Sequence, residues 1–202
     1  PRMLGDGAIV LAAYQRWGEE CAELLDGDFA FAIWDPRRRR LFAARDPAGM
    51  RPFCYAQPRP GLLLFASDAL ALGAHPAIEQ RLNEERIADL IAEMEALDME
   101  ATVLSGVSRL RAGHWLAFDD RGLRTGHYYR PSQPPPLRLA RNADYAEAFR
   151  ALFRASVERR LAAPGPVAVT LSGGLDSASV SAVAAELVAA RGEGPLRTIS
   201  VV

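Results

Sequence analysis

The hexapeptide Ser172-Gly173-Gly174-Leu175-Asp176-Ser177 has the residue types of a phosphate-binding loop. Its two glycines allow backbone amides to approach an anion closely, and the positive end of a following helix dipole would point at that anion. The hydroxyls of Ser172 and Ser177 can donate to phosphate oxygens, and the carboxylate of Asp176 is a hard oxygen ligand suited to Mg2+. The sequence therefore predicts a nucleotide-phosphate site with Asp176 as the metal ligand.

All 24 basic residues of the chain are arginines, so a phosphate at this loop would be bound without a lysine. A Walker-type phosphate lysine and a Schiff-base lysine are therefore excluded within these residues. The alternative interpretation of the hexapeptide is an ordinary glycine-rich turn in which Asp-Ser caps a helix.

The elements that must position this loop form an alternating pattern. An apolar strand is predicted over 167–171, a helix over 178–190 and a second strand over 196–202. Such a βαβ unit crosses over right-handed within a parallel sheet. The preceding segment repeats large apolar residues at spacings of three and four, which predicts an amphipathic helix. Those residues are Tyr145, Phe149, Leu152, Phe153 and Val157.

A proline-rich connector, 131–136, separates this region from a strand-rich block. Residues 29–34 are apolar at every position, which predicts a strand covered on both faces. The Arg37–Arg40 run is interpreted as a solvated hairpin turn. Further strands are predicted over 40–45, 52–57, 62–67, 115–118 and 123–129, and helices over 9–17 and 83–96 with Asn83 as N-cap.

Composition excludes several classes of protein. The net charge is -1, from 24 basic and 25 acidic side chains, so a nucleic-acid arm or polybasic membrane patch is not expected. The apolar runs are far shorter than a membrane-spanning helix. Two cysteines and no secretory leader favour the cytoplasm. Because the chain starts at Pro1 and ends within a predicted strand, we expect it to be a piece of a longer protein.

The hexapeptide after an apolar strand resembles the pyrophosphate loop of the N-type ATP pyrophosphatases, which adenylate a carboxylate. Upstream stretches resemble the glutaminase domain of glutamine-dependent asparagine synthetases. These stretches are LDGDFAFAIWD (25–35), ARDPAGMRPFCY (44–55), FASD (65–68) with His75-Pro76, and LRAGH (110–114). The resemblance covers nearly the whole chain, including the order of the two domains.

The resemblance implies a fold that is part α+β and part α/β. Residues 1–130 would form part of an αββα N-terminal-nucleophile (Ntn) glutaminase sandwich, the type 2 glutamine amidotransferase domain. A proline-rich linker would follow over 131–141. Residues 142–202 would begin the parallel-sheet ATP-pyrophosphatase domain, which resembles the adenine nucleotide α-hydrolases.

The resemblance also implies residue roles. ATP would be held by Thr170, Ser172, Gly173, Gly174, Asp176, Ser177 and Val201, with the backbones of Thr170 and Val201 at the adenine. Asp6 would bind the amino group of glutamine, although a helix N-cap is nearly as good an interpretation of it. The glutaminase nucleophile of the family is a cysteine at the mature N-terminus, so it lies outside this sequence. Cys21 and Cys54 are expected to be small buried hydrophobes.

The histidines His75, His114 and His127 are too scattered in the sequence to imply a metal site, and cap or turn roles are expected for them. The implied reaction is the amidation of aspartate through an aspartyl-AMP intermediate, with ATP, Mg2+ and ammonia from glutamine. The implied partners are small-molecule substrates and not nucleic acid or a membrane. The resemblance leaves open whether the protein forms a homodimer.

Two alternatives remain. A lasso-peptide cyclase or β-lactam synthetase would use the same adenylation on another carboxylate, and departures at Ala8, Pro47 and 92–104 keep this open. A non-catalytic nucleotide-binding module with a decayed glutaminase half is the other alternative.

Overall fold

The computed structural model describes residues 5–92, 98–161 and 165–200. The chain divides into two compact units, residues 1–133 and 134–202. Among the described residues, no helix combines the length and apolar character needed to cross a membrane.

The first unit contains short helices and two antiparallel sheets. Its elements in chain order are α1 (Asp6–Trp17), a 3-10 turn (Gly18–Glu20), α2 (Cys21–Leu24), β1 (Ala30–Asp35), β2 (Arg40–Arg45), β3 (Cys54–Arg59), β4 (Leu62–Ala66), α3 (Ala69–Gly73), α4 (Glu84–Ile91), β5 (Ser108–Arg109), β6 (His114–Asp119) and β7 (Gly122–His127). The strand order is β1-β2-β6-β7 in one sheet and β4-β3-β5 in the other.

The two sheets lie between helical layers, as alternation along single strands shows. Phe42 and Ala44 of β2 pack with residues of α1 and α2, whereas Ala43 between them packs with Tyr55 of β3 and with Phe53, the residue before β3. On β3, the next residues, Cys54 and Ala56, turn to the opposite face and pack against Leu72 of α3. Because successive side chains of a strand point to opposite faces, these contacts order the layers as helix, sheet, sheet, helix. The predicted αββα sandwich is confirmed.

Two predictions about this unit need correction. The apolar run at β1 forms the edge of its sheet, and Trp34 is 57% exposed, although Phe31 and Ala32 do pack on opposite faces. Helix α4 has the predicted Asn83 cap, whose side chain accepts from the Arg86 amide, but the helix ends at Ile91, before the predicted bound of residue 96. The part of that prediction at 93–96 lies outside the described residues.

The arginine run is a turn for only part of its length. Asp35 accepts the Arg37 and Arg38 amides at 3.0 and 3.1 Å, as in a solvated turn. Arg40 instead points inward and pairs with Glu19 and Asp119, which joins the helical layer to the β6–β7 hairpin. Although burial opposes it, the hydrogen bonds from the Arg121 amide and Arg40 hold the pKa of Asp119 below its usual value.

The second unit consists of α5 (Asn142–Arg160), β8 (Ala168–Thr170), α6 (Leu175–Ala190) and β9 (Arg197–Ile199). β8 and β9 pair in parallel, as predicted. Val157, Leu187 and Val169 belong to a cluster that joins both helices to one face of this strand pair. The apolar strand predicted over 167–171 is only half covered: Ala168 and Thr170 of β8 are exposed on the face opposite Val169. The first half of α5 also differs from the prediction, since Tyr145, Phe149 and Leu152 are largely exposed.

Candidate functional site

The predicted phosphate loop lies at the carboxyl end of β8 and the amino end of α6. Gly173 has φ +82°, a left-handed conformation that favours glycine, and a side chain there would meet open space. Gly174 is the N-cap of α6 and carries no side-chain cap, so the helix begins three residues earlier than the predicted residue 178. The first amides of the helix therefore face the exposed loop, which is the arrangement that binds anions.

The two serines of the loop are hydrogen-bonded to each other. The Ser172 amide donates to Ser177 Oγ at 3.2 Å, and the two hydroxyl oxygens lie 3.1 Å apart. Ser177 Oγ also donates to the Gly174 carbonyl at 3.1 Å. The structure thus brings the predicted hydroxyl donors together, and an entering phosphate would exchange these hydrogen bonds for its own.

Asp176 is the second residue of α6, directly after the loop glycines and Leu175, and it is exposed. No cluster of three or more potential metal-binding side chains occurs in the part of the chain that the structure describes. A single carboxylate suits Mg2+, which keeps several waters and takes its other ligands from substrate phosphates. Thr170 pairs with Ile199 across the two strands, and Val201 lies outside the described residues. The roles of these residues stay predictions.

The first unit has a cleft of about 650 Å³. Asp6 lies on its wall as the first residue of α1, and Gly5 is the N-cap, so Asp6 is in the first turn rather than at the cap position. Other polar wall residues are Asp28, Arg51 and Ser67, which the sequence did not single out. The remaining wall is formed by Gly7, Val10, Leu11, Phe29, Ala30, Phe31, Ala32, Ile33 and Pro52.

The loop that carries Arg51 to the cleft is fixed by two side chains. Asp46 is 0% exposed and accepts the Met50 and Arg51 amides at 2.9 and 3.0 Å. Arg45 donates to the carbonyls of Arg51, Gly49 and Leu110, at 2.7, 2.6 and 2.7 Å. Burial lowers the pKa of Arg45, and the nearby Arg109 adds to this effect. The resemblance drew attention to the stretch 44–55 but not to these roles.

The cysteines and histidines partly follow the predictions. Cys21 and Cys54 are buried free thiols, and burial raises the pKa of Cys21 to about 11, so neither resembles an activated nucleophile. His75 has a turn role, because its Nδ1 accepts from the Ala77 amide. His114 also has a turn contact, because its Nδ1 lies 2.9 Å from the Ala112 carbonyl oxygen, and its ring lies 4.6 Å from that of His127 across β6 and β7.

Comparison with known proteins agrees with this division of the chain. The glutamine amidotransferase domain family matches residues 2–129, and the asparagine synthase family matches residues 148–202. The chain is 34% identical over 196 residues to asparagine synthetase [glutamine-hydrolyzing] 3 of Bacillus subtilis, a match covering 97% of this chain and 31% of that protein. It is 32% identical over 188 residues to amidase chry2 of Gibberella zeae, covering 91% and 27%.

Among solved structures, the glutamine phosphoribosylpyrophosphate amidotransferase of Bacillus subtilis aligns with a TM-score of 0.42 and 14% identity, covering 97% of this chain and 39% of the other. The chain spans 31% and 27% of the lengths of the two curated relatives described above. The family match over residues 2–129 alone includes more than half of the sequence. The chain therefore belongs to the glutamine amidotransferase domain family, and its following segment is similar to the asparagine synthase family.

Proposed function

We propose that the protein containing this chain is a glutamine-hydrolysing asparagine synthetase. Its first unit would release ammonia from glutamine, and its second unit would use ATP to convert the side-chain carboxylate of aspartate to aspartyl-AMP, releasing pyrophosphate. Ammonia would then displace AMP. The observation that carries this proposal is the exposed Ser172–Ser177 loop at the amino end of α6, in a chain whose other unit is a glutamine amidotransferase domain.

The loop supports this function through its amides. Helix α6 directs its first N–H groups and the positive end of its dipole toward the loop, where negative charge develops on the leaving pyrophosphate. Gly173 and Gly174 leave room for close approach, and Ser172 and Ser177 can redirect their hydroxyls to phosphate oxygens. These donors need no reorganisation of the backbone during the reaction, so they stabilise the transition state more than the substrate.

The residues at this site also suit Mg2+. Asp176 offers one exposed carboxylate beside the phosphate donors, which matches a cation that keeps water and shares phosphate oxygens. Bound there, Mg2+ would neutralise charge on the phosphates. The backbone groups of Thr170 and Val201 would hold the adenine.

In the first unit, we propose that Asp6 binds the amino group of glutamine inside the cleft. The exposed Asp6 carboxylate on an otherwise largely apolar wall suits a small zwitterionic ligand. The nucleophile would come from a part of the protein outside these residues, because Cys21 and Cys54 are both buried. We further propose that the domains span 1–130 and 142–202 with a linker at 131–141, and that two free thiols reflect a reducing cytoplasm.

The test is pyrophosphate exchange in the full-length protein. We expect labelled pyrophosphate to enter ATP when aspartate and Mg2+ are both present, and ammonia to be released from glutamine in a separate assay. Exchange without any carboxylate, or none with aspartate, would contradict the asparagine synthetase proposal.

A second candidate function has specific support, because relatives of similar identity include proteins named amidase chry2 and amidase chyE. The same adenylation would then act on a carboxylate other than aspartate, as in a lasso-peptide cyclase or a β-lactam synthetase. Exchange with a peptide or larger acid but not with aspartate would favour this candidate. ATP binding without exchange for any carboxylate would favour a non-catalytic module.

A further inference from the structure

Two histidines face each other at the open end of the β6–β7 hairpin. His114 begins β6 and His127 ends β7, and the two residues are direct cross-strand partners. The next pair toward the open end carries a backbone hydrogen bond, from the Tyr128 amide to the Gly113 carbonyl at 3.0 Å. His114 and His127 therefore form a non-hydrogen-bonded pair, the position at which opposite side chains lie closest in an antiparallel sheet.

The spacing of the two rings fits a shared metal ion. Their centroids lie 4.6 Å apart, and their planes are tilted by 38°. Two imidazoles that bind one tetrahedral metal through nitrogens at about 2.1 Å have ring centres roughly 5 Å apart. Only a small rotation of either ring therefore separates this pair from a chelating arrangement.

The nitrogen that His114 would offer is determined by a backbone contact. Its Nδ1 lies 2.9 Å from the Ala112 carbonyl oxygen. Because a carbonyl oxygen only accepts hydrogen bonds, Nδ1 carries the proton and Nε2 keeps its lone pair. Metal-binding histidines commonly have this arrangement, in which the second nitrogen donates to a carbonyl and so orients the ring and makes the other nitrogen more basic.

The surroundings of the pair select the kind of cation. His127 is exposed and His114 is half-buried, so an ion can reach both rings from solvent. Within the residues that the structure describes, no third His, Cys, Asp or Glu joins them in a cluster, and the positive charges of Arg130 and Arg111 act on His127. These conditions disfavour Mg2+ and Ca2+, which need oxygen ligands, whereas imidazole nitrogens suit Zn2+, Ni2+ and Cu2+.

We propose that His114 and His127 form an exchangeable site for a divalent transition metal, Zn2+ or a cation of similar ligand preference. His114 Nε2 would be one ligand and an imidazole nitrogen of His127 the other, and water would fill the two remaining positions of a tetrahedral ion. The bound ion would join the first residue of β6 to the last residue of β7 and so close the open end of the hairpin. Binding there needs neither glutamine nor ATP, so its test is independent of the proposed function.

The first test is protection of the rings from diethyl pyrocarbonate, which acylates unprotonated imidazole nitrogens. The full-length protein is freed of metal with a chelator and labelled near neutral pH with Zn2+, with Mg2+ or without metal, and mass spectrometry locates the labelled histidines. At saturating Zn2+ we expect labelling of His114 and His127 to slow together by about tenfold or more, because the metal occupies the reactive nitrogens. Protection of only one ring, equal protection by Mg2+, or no protection would overturn the proposal.

His75 is the control within the same protein. It is also exposed, and its Nδ1 also contacts a backbone group, but it lies outside the hairpin. Its labelling should not change with Zn2+. Equal protection of all three histidines would show general binding of Zn2+ to surface imidazoles and would contradict a specific site.

Substitution of either ligand gives the second test. Loss of a second-shell partner alone weakens metal binding 10–100-fold, so His114→Gln and His127→Gln should each weaken Zn2+ binding to the hairpin by about 100-fold, whereas His75→Gln should not. The measurement is amide hydrogen exchange in β6 and β7 of the full-length protein as Zn2+ is titrated. Zn2+ should slow this exchange in the wild-type and His75→Gln proteins, because a ligand bound only by the closed hairpin opposes local opening.

The two tests do not depend on each other. Equal slowing of exchange by Zn2+ in His114→Gln or His127→Gln would show that the ion binds elsewhere and would overturn the proposal. If a variant does not fold, protection of the two rings in the wild-type protein still decides the question. Failure of ammonia release or pyrophosphate exchange would contradict the proposed function and would leave both metal measurements unaffected.

Discussion

Changing Asp176 to Asn should remove most adenylation and very little stability. The carboxylate is exposed in the first turn of α6 and does not cap the helix, so it holds no part of the folded structure that the change would break. Loss of its charge near the helix dipole should cost at most about 1 kcal/mol of unfolding free energy. Loss of the metal ligand should lower the exchange rate about 100-fold, which corresponds to about 2.7 kcal/mol of transition-state stabilisation.

Glu186→Gln is the control for this experiment, because it makes the same chemical change on the same helix. Glu186 pairs with Arg154 at 3.1 Å on an exposed surface, and it lies ten residues beyond Asp176, or about 15 Å along the axis. An exposed pair of this kind contributes about 1 kcal/mol or less. We therefore expect wild-type exchange from the control.

The assay is pyrophosphate exchange in the full-length protein across a range of Mg2+ concentrations, with thermal melts of each variant. If Asp176 binds Mg2+, the Asn variant should need more Mg2+ for its residual activity, because the remaining ligands bind more weakly. Wild-type exchange by Asp176→Asn at every Mg2+ concentration would refute the metal assignment. A large drop in melting temperature would refute the claim that the carboxylate is structurally unimportant.

Three further predictions concern the first unit. Gly126→Ala should lower the free energy of unfolding by about 1–3 kcal/mol in urea, because the new Cβ would clash with the ring of Trp115; an unchanged midpoint would contradict this. Burial raises the pKa of the Cys21 thiol from 9.0 to about 11, so the free energy of unfolding should fall as pH rises from 9 to 11, because only the unfolded thiol ionises in that range. Alkylation of Cys21 at pH 8, followed by mass spectrometry, should require unfolding of the protein. Tyr128→Phe should cost about 1 kcal/mol in the same urea titration, since the hydrogen bond to the Arg45 carbonyl is lost, and a stabilised variant would count against that contact.

Much of the local structure could be predicted from the sequence, because its causes are local. β2 has the predicted bounds of 40–45, since a turn closed by Asp35 fixes where it starts. Asn83 caps α4 as its residue type favours. The loop at 172–177 lies between β8 and α6, as predicted, because its two glycines mark the point where the apolar strand pattern ends and the helical pattern begins.

The rest depends on which elements become neighbours in space. The pairing of Arg40 with Asp119 joins residues 79 positions apart, and no local pattern indicates that Arg40 alone of its run turns inward. The cleft collects Asp6, Arg51 and Ser67 from three separate segments, so its polar lining is decided by tertiary packing. Trp34 is exposed because β1 lies at the edge of its sheet, and the residues of β1 alone do not predict its position in the strand order.

The contacts of β2 have a consequence for how the first unit unfolds. Phe42, Ala43 and Ala44 are all 0% exposed, and they alternate between the helical layer and the space between the sheets. Neither the helices nor the second sheet can separate from β2 without exposing one of its faces to water, so local openings should spare this strand. Unfolding of the unit should therefore be a single cooperative transition in which β2 is among the last segments to separate.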